Sequence, residues 1–127
     1  SYLSDHRHHV LDVTHEDLVS DLQRRHPSRS PEITGIIAAA RRKTSLAAFE
    51  VLAPPNPDYR SLVSSVDIPG LLVYGERGII TPAVAEEIHK LNQRFRFEQM
   101  PGTGHGLHYD QPRRFADIVR QFLRFIG

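Results

Sequence analysis

The sequence predicts an α/β protein in which parallel strands are joined by crossover helices and preceded by a helical segment. Three observations carry this. "GLLVYG" (Gly70 to Gly75) is a continuous apolar run bounded by glycines, the pattern of a strand buried on both faces of a parallel sheet. Near the C-terminus, Phe115, Ile118, Val119, Phe122, Leu123 and Ile126 form one apolar helical stripe. Between them the pattern runs strand, helix, strand, helix, and that order implies parallel strands.

Thr14 with Asp17 reads as a capping pair that opens a first helix through about Arg25, with Leu18, Val19 and Leu22 on its apolar face. Ser30 and Pro31 open a second helix, with Ile33, Ile36, Ile37 and Ala40 at helical spacing and Gly35 as a weak point. A third short helix is expected over residues 45–52. "APPNPD" (Ala53 to Asp58) is excluded from helix, because three prolines remove donors and fix the backbone. A helical turn is expected over residues 59–63. After the strand at Gly70, Thr81 and Pro82 supply an N-cap and first-turn proline for a helix bearing Val84, Ile88 and Leu91. "RFRFEQM" (Arg94 to Met100) alternates in its first half and reads as the second strand, and the last helix starts at about Pro112. Residues 1–66 thus form a helical segment and residues 67–127 a strand–helix–strand–helix segment.

Composition sets the outer limits. The chain has 127 residues, room for one domain at most. Its formal net charge is +1 and its arginines are dispersed, so neither nucleic acid nor an anionic membrane is expected as partner. There is no cysteine, which removes disulfides, thiolate metal sites and a cysteine nucleophile together. No apolar run reaches membrane-spanning length, so a soluble cytoplasmic protein is the expectation. The chain starts at Ser1 rather than Met, which points to a trimmed chain or a fragment.

The chemistry concentrates in "PGTGHGLHYDQP" (Pro101 to Pro112), directly after the second strand. The carboxyl edge of an open α/β sheet is where ligands and catalytic groups gather. Gly102, Gly104 and Gly106 let the backbone turn sharply around His105, and an imidazole, with a reference pKa near ~6.5 in free peptides, is the side chain suited to general-base work. His108 lies three residues on and reads either as a substrate or cap contact or as a surface histidine. "HRHH" (His6 to His9) has no recognised metal spacing, so no metal is expected there. His15, His26 and His89 have no converging acids. Phe49, Leu52 and Tyr59 read either as the lining of a pocket or as core of the helical segment.

Residues 67–127 resemble the C-terminal end of an α/β-hydrolase. The family pattern is a hydrophobic strand ending in G-E-x-D, a helix, a short strand, G-x-G-H, then P-x-x-F opening the final helix. Here "GER" stands at Gly75 to Arg77, "GTGH" at Gly102 to His105 and "PRRF" at Pro112 to Phe115, in that order and spacing. The resemblance covers about half the chain. It implies that residues 1–66 are a cap or lid, and that His105 occupies the position of the general base.

The same resemblance shows what the chain lacks. No serine has a glycine two residues away on either side, so no G-x-S-x-G nucleophile elbow is present, and no Asp or Cys variant replaces it. The early strands that would carry an oxyanion hole are missing too. Where the pattern puts Asp, this chain has Gly78. Three readings stay open. Glu76 serves as the acid from a neighbouring position, the acid comes from an earlier strand outside this chain, or the site is degenerate. Glu76 also reads as a solvated carboxylate or a partner for Arg77.

Two functions are consistent with these residues. In the first, the chain is the cap and C-terminal part of a hydrolase acting on an ester, amide or related bond. It supplies His105 as base, needs no metal or organic cofactor, and is inactive alone. In the second, it is a non-catalytic relative serving as a binding module. The partners expected are a small-molecule substrate in the intact protein, and either the N-terminal half of the same protein or a second copy covering the sheet edge.

Overall fold

The computed structural model describes residues 13–127, which divide into two compact units at Asn56–Pro57. The "HRHH" stretch lies outside the described residues.

The first unit holds α1 (His15–Arg25), α2 (Pro31–Lys43) and a 3₁₀ helix (Leu46–Leu52). Thr14 Oγ1 accepts from the N–H of Asp17, and Ser30 Oγ from the N–H of Ile33, so both expected caps form. Leu18 and Leu22 of α1 bury against Ala38 of α2, with Val13, Val19 and Ile37 around them. Thr34 is fully buried in α2 and satisfies its hydroxyl by donating to the carbonyl of Ser30, one turn back. Residues 45–52 form a 3₁₀ rather than an α-helix. It opens on Ser45, whose hydroxyl accepts from the N–H of Ala47, and stops at the prolines after Ala53.

The second unit holds α3 (Tyr59–Ser65), β1 (Gly70–Gly75), α4 (Pro82–Leu91), β2 (Phe95–Met100), α5 (Leu107–Asp110) and α6 (Pro112–Ile126). β1 and β2 are adjacent and parallel, with Gly70 opposite Phe95 and Gly75 opposite Met100. Register partners share a face. Leu71 and Val73 pack with Met100, and with Leu107, Phe115 and Ile118 from α5 and α6. Phe97 meets His89 of α4 edge-on, ring centroids 5.5 Å apart. Gly70 accommodates the Phe95 ring, whose Cε1 lies 2.6 Å from where a β-carbon at Gly70 would stand.

Two contacts tie the unit's edges together. The Asn92 side-chain amide donates to the carbonyls of Val63 (2.9 Å) and Val66 (2.7 Å), while its Oδ1 accepts from the N–H of Arg94 (3.0 Å). Glu87 of α4 accepts from the Tyr59 hydroxyl (3.0 Å) and from the Arg60 guanidinium. Through these residues α3 packs with α4 and the start of β2, although its sequence reads as the end of the helical segment.

β1 is only half-buried over Gly70 to Val73, and only Tyr74 and Gly75 are buried. Burial on both faces along the whole run was expected. Among the described residues the sheet has two strands, and a pair of strands cannot be wrapped by helices as a wide sheet is. Among these residues no helix is long and apolar enough to cross a membrane.

Candidate functional site

Both strands end at one place. Past Gly75, the N–H of Glu76 donates to the carbonyl of Met100 (3.2 Å) and that of Arg77 to the carbonyl of Thr103 (2.9 Å). The ladder thereby continues beyond the strands and binds the loop after β2 to the loop after β1. Side chains extend this. Glu76 Oε2 accepts from the N–H of Gly102 (2.7 Å), and the Arg77 guanidinium donates to the carbonyl of the same glycine (3.0 Å). Gly102 has φ 73°, the left-handed region in which a residue without a β-carbon is unstrained. Thr103 is fully buried and its hydroxyl donates to the carbonyl of Met100 (2.7 Å).

The far side of the loop is fixed by α5 and the residue after it. Asp110 Oδ2 accepts from the N–H of Gly104 (2.9 Å), and Gln111 donates through Nε2 to the carbonyl of Pro101 (3.1 Å). The carbonyl of Gly106 accepts from the N–H groups of Tyr109 and Asp110. His105 therefore stands between two residues whose backbones are held, and its own side chain is exposed. His105 also borders the loop after β1, because a β-carbon at Gly78 would lie 3.5 Å from the Cα of His105.

The structure thus brings Glu76 and the histidine loop together, but with the carboxylate bonded to the amide of Gly102 and not to the imidazole. His108 is exposed and stacks on Tyr109 (centroids 3.9 Å) and Phe115 (5.9 Å), so its ring leans on the α5–α6 corner. His89 lies elsewhere, its Nδ1 2.8 Å from the carbonyl of Phe95 at the opposite end of β2. Tyr59 is partly exposed and bonded to Glu87. Among the described residues no group of three or more His, Asp or Glu side chains is placed to hold a metal. A cavity of about 340 Å³ opens beside Leu71, Arg96 and Phe97, and none of Glu76, His105 and His108 lines it.

Sequence reasoning missed Asp110, Gln111, Arg77 and Thr103 as organisers of the loop. The available signal was their polarity: each lies within six residues of His105 or beside Glu76, and each has a short reach to a glycine-rich backbone.

No protein-family model matches the chain. A Bacillus subtilis protein assigned as a 2-succinyl-6-hydroxy-2,4-cyclohexadiene-1-carboxylate synthase is 40% identical over 71 residues, covering 56% of this chain and 26% of the relative. A pimeloyl-[acyl-carrier protein] methyl ester esterase of Neisseria meningitidis is 32% identical over 101 residues, 74% of this chain and 39% of the relative. Among solved structures, an E-2-(acetamidomethylene)succinate hydrolase superposes with TM-score 0.65 at 17% identity, over 87% of this chain and 45% of that one. The thioesterase domain from the curacin biosynthetic pathway superposes with TM-score 0.58 at 22% identity, over 82% and 42%. The chain spans less than half the length of each of these relatives. With its parallel strand pair, crossover helix and histidine loop, it is a portion of the α/β-hydrolase fold, similar to esterases and hydrolases of that superfamily.

Proposed function

We propose that this chain supplies the general-base histidine, His105, of an α/β-hydrolase acting on an ester, amide or related bond. The observation that carries the reading is the placement of His105. It sits past the carboxyl ends of two parallel strands, its loop is hydrogen-bonded on both sides, and its side chain is exposed. The esterase, thioesterase and hydrolase names among the relatives support the acyl-bond class.

In this reading the imidazole takes the proton from a nucleophile outside this segment as that oxygen attacks the acyl carbon. It then returns the proton to the leaving group, and the cycle repeats with water. The oxyanion donors come with the nucleophile, and so does the acid, since Glu76 is engaged with Gly102. The helical segment of residues 1–66, apart from α3, which packs with α4, acts as the cap in the intact protein, whose substrate is a small molecule. His108, stacked at the corner of the same loop, borders that substrate. No cofactor takes part.

One observation favours a second reading, a binding module without catalysis: at position 78, beside His105, glycine stands where the family pattern has Asp.

The test joins this segment to a nucleophile-bearing N-terminal part and measures hydrolysis of a short-chain aryl ester. His105→Ala is expected to lower kcat/KM by about 10³-fold or more. A loss under about tenfold would favour the binding module. The chain alone is expected to show no turnover.

A further inference from the structure

We infer that Glu76 and Arg77 form a clamp that positions the histidine loop. The inference rests on His105 acting as the base. Gly102 is held at both of its backbone polar groups by two successive residues past the end of the other strand, Glu76 Oε2 at its N–H and the Arg77 guanidinium at its carbonyl. The backbone N–H groups of the same two residues reach Met100 and Thr103. Four hydrogen bonds thus link one dipeptide to the stretch from Met100 to Thr103.

The chemistry of the pair explains the arrangement. An ionised carboxylate is an acceptor only and a guanidinium a donor only, so the two fit the N–H and C=O of one residue without ambiguity. Both bonds are charge-assisted, which makes them stronger than neutral ones. Gly102 is also where the chain turns through the left-handed region, so holding it fixes the direction in which the loop leaves β2. His105 follows three residues later, and Asp110 holds Gly104 from the other side. Displacing a catalytic group by about 1 Å is enough to cost on the order of 10² in rate. Glu76 and Arg77 act through the backbone that carries His105.

The test begins with amide hydrogen exchange on the full chain, which needs no turnover. In Glu76→Ala the Gly102 amide is expected to exchange about tenfold faster or more, as loss of a charge-assisted bond requires. The amides of Met100 and Ile118 stay within about twofold. Glu76→Gln, which keeps an acceptor oxygen at the same place, recovers most of the protection. An unchanged Gly102 amide in Glu76→Ala overturns the clamp, and so does a uniform rise at every amide, which would make Glu76 a contributor to global stability only.

The second arm is kinetic, in the protein joined to its nucleophile-bearing part. Glu76→Ala should lower kcat about tenfold or more with KM changed less than about threefold, and Glu76→Gln should restore most of it. A change confined to KM overturns the positioning role. If His105→Ala proves harmless, the catalytic reading fails by itself, while the amide data still decide whether the clamp exists.

Discussion

Gly75 has no room for a side chain, because a β-carbon there would lie 2.0 Å from the carbonyl oxygen of Gly104. The end of β1 and the residue before His105 are in backbone contact. Thr103 closes the same space, its carbonyl oxygen 2.9 Å from that point. Both obstacles are backbone of the histidine loop, so nothing can rotate away. Gly75→Ala is expected to destabilise the chain by about 3 kcal/mol or more, the upper end for overpacking, or to displace the loop. Denaturant unfolding gives the first and the Gly104 amide resonance the second. Gly35→Ala is the contrast. Nothing lies within 4 Å of a β-carbon in that helix interior, so stability should rise by about 0.5–1 kcal/mol.

Gly102 is constrained differently. A β-carbon there meets only Gln111 Nε2 at 3.5 Å, an ordinary contact, but the residue has φ 73°. Gly102→Ala is therefore expected to cost about 1–2 kcal/mol through backbone strain alone. Because both clamp bonds end on this residue, its amide should lose protection along with stability, as hydrogen exchange would show.

How the sequence anticipated this structure depended on the range of the signal. Thr14, Ser30 and Thr81 announce helices because a cap acts within three residues, and all three accept from the expected N–H. β1 keeps the limits set by its two glycines, and the parallel pairing follows from the strand–helix–strand order. The four-residue α5 was invisible, since one turn displays no period. The direction of Glu76 was invisible for another reason. Which amide a carboxylate reaches depends on the register of β1 against β2, and that is set across 26 residues of chain. The family pattern located His105, and only the packed backbone shows Asp110 holding Gly104.

Asn92 joins three elements with one side chain, so its loss should be felt beyond its size. Its amide hydrogens serve the carbonyls of Val63 and Val66, and its oxygen serves Arg94. At about 0.5–1.5 kcal/mol for each bond, Asn92→Ala is expected to cost about 2–3 kcal/mol. Asn92→Asp keeps the bond to Arg94 but loses both donors, and it should recover only a minor part. Equilibrium unfolding of the two variants checks the order.

Glu87 gives stability a defined pH dependence. The hydrogen bond from Arg60, and after it that from Tyr59, holds its carboxyl below the ordinary carboxylate value. A group with a depressed folded pKa stabilises the fold above its unfolded pKa, and that contribution disappears as pH falls through the folded value. Glu87→Gln should therefore melt below the unaltered chain at neutral pH. The difference should narrow as pH drops under the ordinary carboxylate range and close once Glu87 is protonated. The pair is exposed, so added salt should shrink the gap at neutral pH. A constant difference across the acid range would assign the effect to packing.

The outer edge of β1 sets the last expectation, that this chain associates when studied by itself. The N–H of Gly70 bonds to the carbonyl of Arg94 and that of Glu76 to Met100, so residues in step with these face β2. In a parallel ladder the alternate residues, Leu71 and Val73, then turn their backbone groups to the opposite edge, where no described strand lies. Ile68 and Ile79, which flank β1, are 65% and 73% exposed. An open edge bordered by apolar side chains templates pairing with another chain. The expected occupant is the N-terminal half of the same protein, or a second copy where that half is missing. Sedimentation across a concentration series should show association of the isolated chain, reversed on joining a nucleophile-bearing N-terminal part. A concentration-independent monomer that unfolds cooperatively would show instead that two strands and their helices close this fold unaided.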